Sequence, residues 1–225
     1  MEPNVASREM VRQRFEREAQ SFDAIYREDA SSLSYWFNRV LRRGIFERFD
    51  GAFREAGDVR GKSVLDVGCG SGIYVVSFAQ RGARRIVGLD FSRNMLDLAE
   101  RAVERHGVGS RCEFRHVDFM EAEFDETFDV TIAMGVFDYL PDPAPFLRKM
   151  VSVTRGKVIA SFPTHSIIRS PARRLRYQLT GKGDVYFYDE PQMHRLVREA
   201  GLTKYSLPRA VGSGGGFLLV GDCGA

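Results

Sequence analysis

Apolar positions follow two different spacing patterns along this chain of 225 residues. Over residues 8–49 they recur at helical spacing with charged residues between them, which is typical of amphipathic helices. From Ser63 onward, short apolar runs alternate with further stretches of helical spacing. Two or three helices are therefore predicted ahead of the first strand, followed by repeated strand and helix units.

The boundaries of these units come from glycines, prolines and the ends of the apolar runs. The runs predict strands at about 63–67, 85–90, 111–118, 128–134, 157–162, 203–207 and 216–221. The stretches between them predict helices at about 73–81, 93–105, 144–153 and 190–200. Such an alternation of strands and helices predicts a doubly wound, mostly parallel α/β sheet with right-handed crossovers and helices on both faces.

Composition narrows the class of protein further. The chain is 44% hydrophobic and 28% charged with a net charge of +3, which predicts an ordinary globular protein without an overall attraction to nucleic acid. Its three cysteines are too scattered for a disulfide framework or a metal site, and they favour a reducing cytoplasm. We expect no signal peptide, because the N-terminus lacks an apolar core, and no membrane span.

The most informative segment joins the first strand to its helix. It contains Asp66 followed by Gly68, Gly70 and Gly72, and glycine permits positive φ and a close approach of a ligand to the main chain. The spacing differs from the dinucleotide pattern G-x-G-x-x-G, because Ile73 stands where the last glycine belongs. A nucleotide-like cofactor other than NAD is therefore predicted at the carboxyl end of this strand.

Together with the strand ending at Asp90 and the phrase Phe91-Ser92-Arg93-Asn94-Met95-Leu96, this segment resembles the S-adenosylmethionine (SAM) site of class I methyltransferases. The resemblance implies a seven-stranded sheet whose last strand is antiparallel, SAM as cofactor and S-adenosylhomocysteine (SAH) as product. It further implies a SAM-binding domain over residues 61–225 with an insertion at about 163–188. Residues 1–60 would form a helical lid that contributes to substrate binding.

The same resemblance gives candidate roles to the residues around the glycines. Gly68, Gly70 and Gly72 would meet the methionine end and the ribose, with Asp66 beside the amino group. Asp90, followed by Phe91, would accept both ribose hydroxyls; its alternative role is a helix cap, for which Ser92 is better placed and leaves Asp90 free. Cys69 lies within this loop, and small buried packing is favoured over a nucleophilic role.

The remaining cofactor candidates follow the later strands. Asp118 would bind the exocyclic amine of adenine, while the backbone N–H of Phe119 meets the ring; otherwise Asp118 is a solvated carboxylate. Met95 would pack near the adenine or in the core. Met134 and the residues after it would lie beneath the sulfonium, and Tyr26 would fold over the cofactor unless its helix only packs on the domain.

Methyl transfer needs a base only when the acceptor must lose a proton. Candidates for this role are Tyr139 and Asp138 after the fourth strand and His165 after the fifth, although a loop histidine is more often structural. An arginine-rich stretch in the insertion can contact an anionic acceptor, a membrane surface or RNA, or remain solvated. It contains Arg169, Arg173, Arg174 and Arg176, and apolar walls would come from Tyr186, Phe187 and Tyr188.

Three functions remain open at this point. The first is methylation of an oxygen or nitrogen of a small molecule, with a carboxylate-bearing acceptor suggested by some similarity to magnesium-protoporphyrin O-methyltransferases. The second is methylation of RNA or protein, which is disfavoured because Met134-Gly135-Val136-Phe137 replaces the Asn-Pro-Pro-Tyr type of motif. The third is a noncatalytic SAM-binding or partner-activating subunit. The sequence leaves the oligomeric state open.

Overall fold

The computed structural model describes Glu16 and residues 43–164, 185–209 and 216–224. The other residues of the predicted N-terminal helices before Arg43, and residues 165–184 of the insertion, lie outside the described residues. Within the part of the chain that the structure describes, no helix is long and apolar enough to cross a membrane.

A seven-stranded sheet lies at the centre of the described residues. Its strands are β1 (Ser63–Val67), β2 (Arg85–Asp90), β3 (Cys112–His116), β4 (Phe128–Ala133), β5 (Thr154–Pro163), β6 (Lys204–Ser206) and β7 (Gly216–Asp222). They are arranged in the order β3-β2-β1-β4-β5-β7-β6. The pairs among β1 to β5 are parallel, whereas β7 is antiparallel to both of its neighbours. The predicted α/β fold class is confirmed.

Helices cover both faces of this sheet. They are α1 (Arg43–Ala56), α2 (Ile73–Gln80), α3 (Arg93–Arg105), α4 (Ala144–Ser152) and α5 (Glu190–Glu199). Buried residues of α1, α2 and α3 share one hydrophobic cluster, while those of α4 and α5 belong to a second cluster on the other face. The two clusters together account for the largely apolar strands, because a sheet covered on both sides has no solvated face.

β1 shows this two-sided burial most clearly. Val64 belongs to the cluster beneath α1 to α3, whereas Leu65 and Val67 belong to the opposite cluster. All five residues of the strand are buried. Asp66 is therefore a buried carboxylic acid within a strand whose other residues, apart from Ser63 at its start, are apolar, which makes it a candidate functional residue.

The predicted elements match the observed ones with small differences at their ends. β5 begins at Thr154 instead of residue 157, because Phe128 pairs with Thr154 before the register shifts. A Cβ atom on Gly156 would lie 2.2 Å from the carbonyl oxygen of Asp129, so only glycine fits at this shift. β3 ends at His116, two residues earlier than predicted, and the N–H of Val117 still donates to the carbonyl of Asp90 at 3.2 Å in continuation of the parallel ladder.

The strand order creates a switch point at the carboxyl edge of the sheet. β1 pairs with β2 on one side and with β4 on the other, so the connections that follow β1 and β4 diverge to opposite faces. Open α/β sheets bind their ligands in the crevice outside such a point. The glycine-rich loop after β1 lies there.

Candidate functional site

The three glycines after β1 adopt positive φ angles for different local reasons. Gly68, Gly70 and Gly72 have φ of 70°, 53° and 79°. A Cβ atom on Gly68 would lie 2.6 Å from Val136, and one on Gly72 would lie 2.8 Å from the Cβ atom of Ala99. On Gly70, by contrast, no heavy atom of the described residues would come within 4 Å. The loop is therefore packed tightly at its two ends and open at its middle glycine, where a ligand can approach the main chain.

Hydrogen bonds fix this loop against the end of β2. The N–H groups of Gly68 and Cys69 both donate to the carbonyl of Leu89, at 2.8 and 2.9 Å. Gly72 is the N-cap of α2 and provides no side chain to cap it. The helix consequently begins at the loop with backbone donors directed toward the crevice, an arrangement that favours polar or anionic ligand groups.

Asp66 lies beneath the loop with only 1% of its surface exposed. Among the described residues, no donor reaches its Oδ2 atom. Burial, and secondarily the charge of Asp90, raises the pKa of Asp66 to about 8. A buried carboxylate without a donor is costly unless a cationic or hydrogen-bonding ligand completes the site.

The carboxylate of Asp90, at the end of β2, accepts backbone hydrogen bonds that the sequence did not predict. Its Oδ2 atom accepts a hydrogen bond from the N–H of Gly70, and its Oδ1 atom accepts one from the N–H of Ser92, both at 2.9 Å. Ser92 is the N-cap of α3, as predicted, and its Oγ atom accepts from the N–H of Met95 at 3.2 Å. The prediction that the serine cap leaves Asp90 free is wrong, because this carboxylate joins two turns.

These two hydrogen bonds still leave Asp90 able to bind a ligand. A carboxylate offers about four lone-pair positions, of which two are used here. Burial raises the pKa of Asp90 to about 6, although the N–H groups of Ser92 and Gly70 act in the opposite direction. The backbone donors thus fix the orientation of the carboxylate while its remaining lone pairs can accept hydroxyl groups.

The other cofactor candidates lie at different depths. Met95 and Phe119 are buried, and the Phe119 ring packs 4.8 Å from Phe146 between centroids, so both side chains belong to the core. Asp118 is partly exposed and accepts from the N–H of Met120 at 2.8 Å. Phe91 is also partly exposed, and its carbonyl is 3.0 Å from Nε2 of His116.

Cys69 has the packing role that the sequence favoured. Its side chain is 5% exposed, and a Cβ atom on Gly88 would lie 3.0 Å from its Sγ atom. Burial, followed by the charges of Asp66 and Asp90, raises the pKa of the Cys69 thiol well above its usual value. Because the thiolate is the reactive form, this cysteine is poorly suited to act as a nucleophile.

The crevice is bordered on its other side by the connections after β4 and β5. Met134 is partly buried, and the N–H of Gly135 donates to Oγ of Ser161 at 2.8 Å. Tyr139 packs against Val185 and Phe187. The carboxyl ends of the two strands are therefore linked through a serine that sequence analysis did not single out, although a polar residue within the apolar run of β5 was a visible signal.

Residues 185–188 cross this region. Beyond providing the predicted apolar walls, they bond to the connections after β4 and β5. The N–H of Tyr186 donates to the carbonyl of Asp138, and that of Tyr188 donates to the carbonyl of Pro163, both at 2.9 Å. Phe187 and Tyr188 are buried while Tyr186 is partly exposed. His165, Tyr26 and the four arginines of the insertion lie outside the described residues.

The fold and this crevice define a class: a Rossmann-like α/β protein whose crevice at the carboxyl edge of β1 and β2 suits a nucleoside cofactor. The open Gly70 backbone and the buried carboxylate of Asp66 fit a ligand that carries both hydroxyl groups and a positive charge. Comparisons with known proteins identify the class more closely.

A family model described as a methyltransferase domain matches residues 64–157. The chain is 32% identical over 157 residues to a ubiquinone biosynthesis O-methyltransferase of Neisseria meningitidis serogroup C, covering 64% of this chain and 65% of the relative. It is 37% identical over 105 residues to a phosphatidylethanolamine N-methyltransferase of Cereibacter sphaeroides, covering 45% and 51%. The matches thus span less than two thirds of these relatives.

Structural similarity to a solved methyltransferase covers more of this chain than sequence similarity to the curated relatives does. The magnesium protoporphyrin IX methyltransferase of Synechocystis PCC 6803, solved with bound SAM, superposes with a TM-score of 0.76 at 19% identity, covering 99% of both chains. The family model, the named relatives and the fold together support a class I SAM-dependent methyltransferase with SAM as its cofactor.

Proposed function

We propose that this protein transfers a methyl group from SAM to an oxygen or nitrogen atom of a small molecule. The buried Asp66 carboxylate carries the cofactor assignment, because its Oδ2 atom lacks a donor within the described residues and lies beside the open glycine loop. The names of the curated relatives, an O-methyltransferase and an N-methyltransferase, support the two acceptor atoms.

The proposed cofactor contacts follow from the positions of these side chains. Asp66 would neutralise the amino group, and the free lone pairs of Asp90 would accept the ribose hydroxyls. Asp118 would bind the adenine amine, with the backbone of Phe119 and the side chains of Met95 and Phe91 nearby. Main-chain groups of the loop from Gly68 to Gly72, including Cys69, would contact the methionine end, and Met134 would lie beneath the sulfonium.

When bound, SAM supplies an electrophilic methyl group on a positively charged sulfur. The work left to the chain is to align an acceptor lone pair with the carbon–sulfur bond and to exclude water. The acceptor would enter from the side of β4 and β5, where Tyr139 lies. If the acceptor carries a proton, Tyr139 or His165, the residue after Thr164, would remove it.

We further propose that residues 61–225 form the SAM-binding domain, while residues 1–60, with Tyr26, and the insertion at 163–188 shape the acceptor site. An anionic or carboxylate-bearing acceptor would suit the arginines of that insertion. Cys69, Cys112 and Cys223 are all free thiols, which supports a reducing compartment such as the cytoplasm.

Calorimetry with SAM and SAH tests the cofactor site directly. We expect micromolar binding to the wild type and a loss of at least about tenfold in Asp90→Ala, since that variant removes the proposed hydroxyl acceptor. Asp97→Ala is a matched control, because Asp97 lies on the exposed side of α3 and pairs with Arg93. Equal affinity in the wild type and Asp90→Ala would contradict the assignment.

The acceptor is then sought by following SAH formation with small carboxylates, phenols and amines in separate reactions. Turnover that depends on Asp90 supports the proposed activity, and loss of turnover in His165→Ala or Tyr139→Phe with normal SAH binding would identify the base. Turnover only with RNA or protein would replace the small-molecule proposal. Cofactor binding without methyl transfer to any acceptor would favour a noncatalytic or partner-activating subunit.

A further inference from the structure

Glu16 reaches across the fold to the beginning of α3. Its Oε1 atom accepts a hydrogen bond from the N–H of Arg93 at 2.8 Å, and its Oε2 atom accepts one from the N–H of Asn94 at 3.2 Å. The side-chain amide of Asn94 also donates to the backbone carbonyl of Glu16 at 2.9 Å. Three hydrogen bonds thus join two segments that lie 77 and 78 residues apart.

Glu16 completes the capping of this helix. The first backbone donors of a helix have no partner within the helix and must be satisfied from outside it. Ser92 satisfies the N–H of Met95, while Glu16 satisfies those of Arg93 and Asn94. A carboxylate at this position also interacts favourably with the helix dipole.

The same turn carries Asp90 of the cofactor site. The N–H of Ser92 donates to Asp90, so the orientation of the Asp90 carboxylate depends on the backbone that Glu16 holds one residue further along. Besides burial, which has the largest effect, the charge of Glu16 also raises the pKa of Asp90. The two carboxylates therefore interact both through the backbone and through their charges.

A second contact joins the N-terminal part of the chain to the other helix that begins at the cofactor loops. The ring of Tyr74, near the start of α2, lies 5.2 Å from that of Phe49 and 5.8 Å from that of Phe53, measured between centroids, and both phenylalanines belong to α1. Residues before the first strand thus contact the beginnings of both α2 and α3.

We propose that Glu16 is a positioning residue for cofactor binding, which holds the turn from Asp90 to Asn94 so that the Asp90 carboxylate is oriented toward the ribose. This role rests on the proposed function of the crevice. It assigns to the N-terminal segment a contribution to cofactor affinity that is made through the α3 backbone and requires no contact between Glu16 and the cofactor.

The test compares Glu16→Ala with Glu100→Ala in the full chain. Glu100 accepts hydrogen bonds from the guanidinium of the same Arg93, at 2.9 Å, but does not serve its backbone N–H. We expect Glu16→Ala to weaken SAH binding about fivefold, the effect of losing a helix cap. Glu16→Gln, which keeps one acceptor oxygen, should lie between Glu16→Ala and the wild type, and Glu100→Ala should bind normally.

Two further readouts distinguish positioning from a general loss of stability. Hydrogen exchange in a peptide covering residues 90–96 should accelerate in Glu16→Ala and not in Glu100→Ala. Removal of the Glu16 charge should also lower the pKa of Asp90, so the pH dependence of SAH binding should move to lower pH in both Glu16 variants. A merely destabilising substitution would not produce that displacement.

The outcomes separate this proposal from the function on which it rests. Wild-type protein that is folded but does not bind SAH would overturn both. Wild-type binding with an unchanged affinity in Glu16→Ala would overturn only the positioning role. Unchanged exchange of residues 90–96 in that variant would overturn it as well, because the backbone contacts would then not be maintained in solution.

Discussion

At the scale of single residues, Gly70 and Gly72 lie two positions apart but have different surroundings. An alanine at residue 72 would combine a φ of 79° with a Cβ atom 3.0 Å from the Cα atom of Ala99. An alanine at residue 70 would keep a positive φ of 53° but place its Cβ atom in the open crevice. Gly72 is thus required by packing, whereas Gly70 leaves open space at the proposed cofactor site.

We therefore expect one alanine variant to lose mainly stability and the other mainly cofactor affinity. Gly72→Ala should lose roughly 2–4 kcal/mol of unfolding free energy, from the backbone conformation together with the clash. Gly70→Ala should lose only about 1 kcal/mol, yet weaken SAH binding by at least about tenfold because its Cβ atom occupies the cofactor face. Urea unfolding and calorimetry on both variants measure these quantities.

Gly57→Ala is the control for this comparison. Gly57 has a φ of 68°, and no heavy atom of the described residues would come within 4 Å of its Cβ atom, but it follows α1, away from the glycine loop. It should lose about as much stability as Gly70→Ala while binding SAH normally. Normal binding in Gly70→Ala too would show that the open face does not receive the cofactor.

At the scale of elements, Tyr188 joins the connections that follow β4 and β5. Tyr188 is 7% exposed, and its hydroxyl donates toward the carbonyls of Phe137 and Leu140, at 3.1 and 3.4 Å. Its own N–H donates to Pro163. The loop that carries Tyr139 is therefore joined to the end of β5 through one residue, by the side chain of Tyr188 on one side and its backbone on the other.

Removal of the Tyr188 hydroxyl should affect acceptor binding more than cofactor binding. Tyr188→Phe should cost about 1 kcal/mol of stability and raise the KM for the acceptor, while the Kd of SAH stays unchanged. Tyr205→Phe is the control, because its hydroxyl bonds to Nδ1 of His194 at 2.6 Å between β6 and α5. A weakened SAH affinity with an unchanged acceptor KM would contradict this division.

At the scale of the whole molecule, the buried carboxylates couple stability to pH. The pKa of Asp66 rises from 3.8 to about 8 and that of Asp90 to about 6, so the folded state binds more protons than the unfolded state between these values. The contribution of these groups to stability is therefore fully present below about pH 4 and is lost as the pH rises through about 6 to 8.

For Asp66→Asn, this linkage predicts an effect that grows with pH. The variant should come closest to the wild type at about pH 4 and should be more stable than it at pH 8.5 by an amount on the order of a few kcal/mol, because over this range the folded state keeps the Asp66 proton while the unfolded state loses it. Urea unfolding without ligand across this range measures the difference, with the exposed Asp97→Asn as control. A constant difference between Asp66→Asn and the wild type at every pH would contradict the linkage.

Most of the fold was predictable from the sequence because its signals are local. The apolar run of β1, the glycines after it and the serine before α3 each act through neighbouring backbone, so their consequences follow from short segments. The start of β5 was displaced from residue 157 to Thr154 by pairing with Phe128 of a distant strand. Such partners are not visible in a local pattern.

The candidate site was predictable to the same extent and for the same reason. Asp66, Asp90 and the three glycines were found because the strand-loop-helix pattern brings them to one edge of a sheet. Glu16 carries no local signal that separates it from the other charged residues of its helix, and its partners lie 77 and 78 residues away. The link between Tyr188 and the β4 connection likewise depends on two strand ends that meet only in the folded chain.

The sequence by itself determined the class of this protein, since the order of apolar runs, glycines and strand-end carboxylates dictates an α/β sheet with a cofactor loop at its carboxyl edge. Only the tertiary structure decided how that site is held together. It deprived the Asp66 carboxylate of water, set Asp90 between Gly70 and Ser92, and brought Glu16 to the start of α3. Burial and long-range hydrogen bonds are properties of the packed chain, so no pattern of neighbouring residues encodes them.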